Sequence, residues 1–131
     1  MTGRTDEGPD PGVAPPGWPP AVRPPGAPYW EETAVAWLLD QCPPEFRGYS
    51  GLRRHPAVLA RFTVLHVEAM QAAARRGLSE GRTVLRDVAE PEVIDKALAT
   101  WEVEQARLIG LRRGVGLVEE ALRGRRFRAR L

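Results

Sequence analysis

The sequence is poor in the residue types that carry covalent or metal chemistry. Its 131 residues include one cysteine (Cys42), two histidines (His55, His66), two serines (Ser50, Ser79) and one lysine (Lys96). A single cysteine excludes an internal disulfide, and a lone thiol suits a reducing cytosol. No run approaches the roughly 18 apolar residues that cross a bilayer, so no membrane span is expected. The first residues, Thr2 to Glu7, lead into glycine and proline rather than an apolar stretch, so no secretory signal is expected either. The expectation is a cytoplasmic protein.

Chemistry-bearing motifs are equally scarce. Cys42, His55, His66 and Glu68 have no metal-ligand spacing such as Cys-x-x-Cys or His-Glu-x-x-His, and no metal or other cofactor is expected. Neither serine lies in Gly-x-Ser-x-Gly. Cys42 falls at the C-terminal end of an expected helix, where the dipole disfavours a thiolate. Glu102 and Glu104, like Glu119 and Glu120, are too close in sequence to face one another on a helix. The glycines of Gly110-Leu-Arg-Arg-Gly114-Val-Gly116 follow no strand, so they do not form a phosphate loop. These absences argue against an enzyme.

What is present is apolar and helical. The chain has 13 Leu, 12 Val, 17 Ala and 4 Trp, enough for one domain with a real core. Of 19 basic residues 18 are arginine, which, with the abundant Ala, Gly and Pro, reads as GC-rich coding before it reads as phosphate binding. Nine of the thirteen prolines and five glycines fall in residues 1–28. That composition predicts a disordered tail with polyproline II bias. Pro16-Gly-Trp-Pro19 and Pro25-Gly-Ala-Pro28 match the loose Pro-x-x-Pro pattern, which chance readily supplies in such a tail.

Order is expected from Tyr29, in a single helical domain over 29–124. Trp30, Ala34, Trp37, Leu38 and Gln41 share one helix face, so a helix is predicted over 29–41, stopped by Pro43-Pro44. Residues 42–55 read as a non-helical loop. Its Phe46, Tyr49 and Leu52 either pin it to the core or serve recognition. Pro56 opens a helix expected to run to about 89, with Val58, Phe62, Leu65, Ala69, Ala73, Val84 and Val88 as its apolar stripe. Gly77 and Gly81 mark a possible break. Pro91 opens another, with Ile94, Leu98, Trp101, Leu108, Leu111, Val115, Val118 and Leu122 inward and Gly124 as its stop. Gly110 and Gly114 share a face and predict close approach of a neighbouring backbone.

The fold class expected is therefore all-α: a long antiparallel hairpin with one short N-terminal helix packed on it. Surplus apolar stripe suggests that two copies form a homodimer closing a four-helix bundle. The best recognition candidates for a protein partner are Phe46, Tyr49, Arg53 and Arg54. A second reading is an accessory nucleic-acid binder. It uses the Arg-rich tail 125–131 and the turn before it, through Arg123, Arg125, Arg126, Phe127, Arg128 and Arg130, on phosphates or an acidic surface. A small enzyme or ligand carrier built on Cys42, His55 and His66 is the third.

Tyr29-Trp30, Ala36-Trp37-Leu38-Leu39-Asp40, Cys42-Pro43-Pro44 and Tyr49 resemble the opening of a family of short uncharacterised proteins of high-GC actinobacteria. Arg53-Arg54-His55-Pro56 and the stretch from Gly116 to Arg125 extend the resemblance over about 29–131. It implies an origin and a compartment, and no activity, cofactor or site residue.

The sequence pI near 9.2 is local in origin. The net charge is +2, yet residues 123–131 alone carry +5, so the preceding 122 residues carry −3. Any electrostatic attraction to phosphate is expected in that last segment.

Overall fold

The computed structural model describes residues 14–124. Among them every regular element is helical. These are α1 (Trp30–Asp40), a 3-10 turn (Pro44–Gly48), α2 (Ser50–Arg54), α3 (Pro56–Leu85) and α4 (Pro91–Leu122). The fold is all-α, and the long helices α3 and α4 pack against each other as a hairpin. Helix α3 passes through Gly77 and Gly81 without a break and ends at Leu85, four residues short of the expected end. A turn follows, in which Val88 N donates to Leu85 O at 2.8 Å. Helix α4 stops as expected: Gly124 follows it at φ 83, the left-handed conformation that glycine adopts without a Cβ clash.

The described chain divides into two units. The first contains the residues up to Val64 and those from Arg113 onward; the second is Leu65–Arg112. In the first, Ala34, Leu38, Leu59, Ala60, Thr63, Val64, Val115 and Val118 have no or almost no exposed surface. Thr63 is tolerated there because its hydroxyl donates to Leu59 O at 2.8 Å, one turn back on α3. Glu119 is also buried, and the Arg61 guanidinium grips it with both arms: Nε to Oε2 at 2.8 Å and Nη2 to Oε1 at 2.7 Å. Arg123 adds a third contact at 3.1 Å.

The expectation of a disordered segment extending to residue 28 does not hold for residues 14–28; residues 1–13 lie outside the described residues. Three Pro-Pro pairs each open a turn. Trp18 N donates to Pro15 O, Val22 N to Pro19 O and Ala27 N to Pro24 O, all at 3.0–3.1 Å. In the first and third, proline is followed by a glycine at positive φ (Gly17 91°, Gly26 89°). This is the arrangement of a type II turn, for which Pro-Gly is pre-shaped. Such turns, not polyproline II, make the segment compact. They bring Pro15, Pro19, Val22 and Ala27 inward, Val22 with only 3% of its surface exposed. Trp18 Nε1 donates to Val22 O, and the Trp18 and Trp30 rings lie 6.3 Å apart. Both Pro-x-x-Pro matches are thereby spent on turns.

Gly114 is the point of close approach predicted from its spacing. A Cβ there would sit 3.5 Å from Gly17 O and from the Trp37 ring. Gly110, its expected companion, has nothing within 4 Å and faces solvent.

In the second unit, small residues of α3 receive large ones of α4. A Cβ on Gly77 would lie 3.2 Å from the Trp101 ring, and one on Gly81 would lie 2.7 Å from Leu98 Cδ2. The glycines are hollows for Trp101 and Leu98, which explains why a costly residue type stands inside the helix. The ion pairs Arg82–Asp95 (2.5 Å) and Arg112–Glu68 (3.0 Å) tie the two arms at the surface.

Most of the stripe expected inside α4 is inside: Ile94, Leu98, Leu108, Val115 and Val118 are buried and Leu111 and Leu122 are half-buried, whereas Trp101 keeps 37% of its surface exposed. The stripe expected inside α3 is not. Val58, Phe62, Leu65, Val84 and Val88 are 45–73% exposed, and Ala69 and Ala73 are exposed as well. The buried face is Leu59, Ala60, Thr63, Val64, Val67, Ala74 and Gly81. Helix α3 has two apolar faces, and the one with smaller residues faces inward because close helix approach requires low volume. Reading by size selects the wrong face.

Candidate interaction surface

Residues 42–55 are not the irregular loop their prolines and glycines suggested. Pro43 takes an extended conformation (ψ 146), and Pro44 then starts the 3-10 turn, where a missing amide leaves no bond unmade. Tyr49, extended at φ −94 and ψ 95, separates that turn from α2. Nothing lies within 4 Å of where a Cβ would stand at Gly48 or Gly51, so packing does not require glycine at either position.

This turn-and-helix segment borders an open groove of about 850 Å³ in the first unit. One side is lined from α1, by Glu31, Glu32, Val35, Ala36, Asp40 and the buried Leu39. The other side is Arg47, Ser50, Arg53, Arg54 and Pro56. The lining joins apolar residues, Val35, Ala36, Leu39 and Pro56, to charged ones from both sides. Arg47 is spent on Asp40, Nη2 to Oδ1 at 2.6 Å. Arg53 and Arg54, in the last turn of α2, are exposed and form no ion pair with any described residue. Glu31 and Glu32, in the first turn of α1, are likewise exposed and unpaired among the described residues. Their helix-dipole placement steadies the charges but leaves every hydrogen-bonding edge open.

Of the four residues singled out for partner recognition, Arg53 and Arg54 reach the groove and Phe46 and Tyr49 do not line it. Those two rings rest on each other, 5.9 Å apart and tilted by 52°, with Phe46 half-buried and Tyr49 55% exposed. The α1 side was missed in the sequence. Its signal was present as Glu31, Val35 and Ala36, which fall off the inward face of α1 and still include apolar residues.

Of the tail residues, Arg123 is engaged by Glu119. Arg125, Arg126, Phe127, Arg128 and Arg130 lie outside the described residues. The third set does not assemble as a catalytic group. Cys42 is buried, and burial pushes its pKa above the ordinary thiol value despite the opposing Thr63 bond and Arg47 charge. It is therefore a protonated thiol at neutral pH, unsuited to nucleophilic attack. His55 is exposed at the end of α2, and His66 is half-buried on α3. Glu104 is held by Arg107 through two bonds of 2.6 and 2.9 Å, which lower its pKa. Among the described residues no three His, Cys, Asp or Glu side chains gather as metal ligands, and no helix is long and apolar enough to cross a membrane.

No protein-family model matches the chain, and neither a curated protein nor a solved structure is significantly similar to it.

Proposed function

We propose that the protein is a non-enzymatic helical interaction module that docks another protein on the groove between α1 and α2. The observation that carries this reading is the pair Arg53 and Arg54: two adjacent exposed guanidiniums without ionic partners among the described residues, beside the apolar residues of the lining. Apolar surface joined to unsatisfied charge is the anatomy of a protein interface. Arginine suits it because a planar guanidinium binds carboxylates with two donors and loses less solvation than an ammonium. The exposed Tyr49 beside α2 extends the surface with an amphipathic ring. A cytoplasmic location belongs to the same proposal, since a lone buried thiol is kept reduced there.

The test is affinity capture from extracts of the native host with the wild-type chain and with the double variant Arg53→Glu/Arg54→Glu. Both positions are exposed, so circular dichroism should be unchanged. A protein retained by the wild type and lost by the variant supports the reading. Identical captured sets refute it, and nuclease-sensitive capture assigns the Arg-rich end to nucleic acid instead.

A further inference from the structure

The arginine side of the groove extends beyond α2. Arg61 of α3 grips Glu119 of α4, and both belong to the first unit. That contact sets the register of the two helices there. Five residues back from Arg61 is Pro56, which lines the groove, and five residues on from Glu119 is Gly124. The end of α4 is therefore about level with the Pro56 edge of the groove. Arg53 and Arg54 lie just before that edge, exposed and without ionic partners among the described residues. The chain continues from Gly124 with Arg125, Arg126, Arg128 and Arg130, and with no acidic residue between them. Two arginine-rich stretches far apart in the sequence thus converge on one edge of one groove.

The lining restricts what that edge can hold. Glu31 and Glu32 share the groove and are unpaired among the described residues, so a chain charged at every unit, such as nucleic acid, meets repulsion on the α1 side. Among the described residues no aromatic ring lines the groove to stack a base. Val35, Ala36, Leu39 and Pro56 call instead for apolar side chains to cover them. A peptide meets both demands, because it can carry apolar side chains on one flank and carboxylates on the other. A carboxylate also matches the guanidinium fork with two parallel hydrogen bonds. Charge and apolar surface select the same class of occupant.

We infer that the segment docking in the groove is an acidic, amphipathic peptide of the partner protein. Its apolar side chains cover Val35 and Ala36, and its carboxylates are shared between Arg53, Arg54 and the arginines of 125–130. This rests on the groove being the docking site. The probe is a short labelled peptide of alternating glutamate and leucine, titrated with the full chain by fluorescence anisotropy. Its glutamine–leucine counterpart should bind at least roughly tenfold more weakly, and added salt should narrow the difference. Arg53→Gln/Arg54→Gln should weaken the glutamate peptide roughly threefold to tenfold, because exposed ion pairs are modest singly and several act together. Arg125→Gln, Arg126→Gln, Arg128→Gln and Arg130→Gln combined should do the same. Ala36→Glu, at an exposed lining position, should repel the peptide to a similar degree. Equal affinity for the two peptides, or no binding of either, overturns the inference. So does indifference to the four combined substitutions or to Ala36→Glu, or tighter binding of a single-stranded oligonucleotide that the same variants lose. The groove reading is judged separately: a host protein lost from Arg53→Glu/Arg54→Glu, with equal affinity for the two peptides, keeps the docking site and removes the acidic partner.

Discussion

The Cys42 thiol donates a hydrogen bond to the Thr63 hydroxyl. The two atoms are 3.2 Å apart, and the direction follows from a third group. Thr63 has one hydroxyl proton, and it is committed to Leu59 O at 2.8 Å, a carbonyl that can only accept. Its lone pairs are therefore what face the sulfur. The thiol proton fills a buried acceptor site, and burial holds it on the sulfur above the ordinary pKa.

From this follows a pH dependence. The unfolded thiol ionises near pH 8.5 while the native one stays protonated, so the native state binds more protons above that pH. The stability that Cys42 contributes is whole below the unfolded pKa and is lost as pH rises toward the raised native value. Urea melts of wild type and Cys42→Ala between pH 7 and 10 should show the wild type losing more with pH. Equal slopes would refute the assignment. Native Cys42 should also react slowly with a thiol reagent and rapidly in denaturant.

Glu119 is buried between two half-exposed arginines. Replacing it with glutamine removes the charge and the two-armed grip of Arg61 while keeping the shape. Breaking a fully buried pair costs about 3–5 kcal/mol. Here Arg61 and Arg123 can return to water, so about 1–2 kcal/mol is expected for Glu119→Gln, measured by denaturant unfolding at a single low concentration.

Gly110 and Gly81 should respond to alanine with opposite signs. Both substitutions gain the helix propensity of alanine, about 1 kcal/mol. Gly110 has open space, so Gly110→Ala should be stabilising by about that amount. At Gly81 the new methyl meets the buried Leu98 side chain, and overpacking costs about 1–3 kcal/mol, so the net should be destabilising. Thermal unfolding of the two variants separates the cases.

Val22→Ala tests whether the proline-rich residues 14–28 belong to the fold. Losing two buried carbons from a side chain 3% exposed should cost about 1–2 kcal/mol. An unfolding midpoint equal to the wild type would mean that the segment contributes nothing to stability.

Tyr29 enters α1 in the left-handed region at φ 63, with 70% of its surface exposed. A side chain there is strained, and a β-branched one more so. Tyr29→Asn should be neutral or slightly stabilising, and Tyr29→Val destabilising by about 1 kcal/mol. The comparison needs only their melting temperatures.

Helix positions and ends were legible because they rest on local rules. Pro43, Pro56, Pro91 and Gly124 act on their own backbone neighbourhood, and the end of α1, the start of α3 and both ends of α4 fall within a few residues of them, whereas α3 stops at Leu85 with no such signal beside it. The inward face of α4 was legible because it has a single continuous apolar row. Residues 14–28 were misread for a reason also written in the sequence. Three Pro-Pro pairs, two followed by glycine, are turn signals, and counting them as composition discarded their order.

Local chemistry alone thus settles where α1 and α4 begin and end and where α3 begins, and that the net positive charge comes from the last nine residues. Choosing between the two apolar faces of α3 required the partner helix. Close approach rewards Gly77 and Gly81, whose value is the volume they leave for Trp101 and Leu98, and no property of an isolated helix encodes that. The same choice turned Val58, Phe62 and Leu65 outward. The groove also depended on tertiary placement, because Arg53 and Arg54 come to line the same groove as Glu31 and Glu32 only through the 3-10 turn that packs against both α1 and α2.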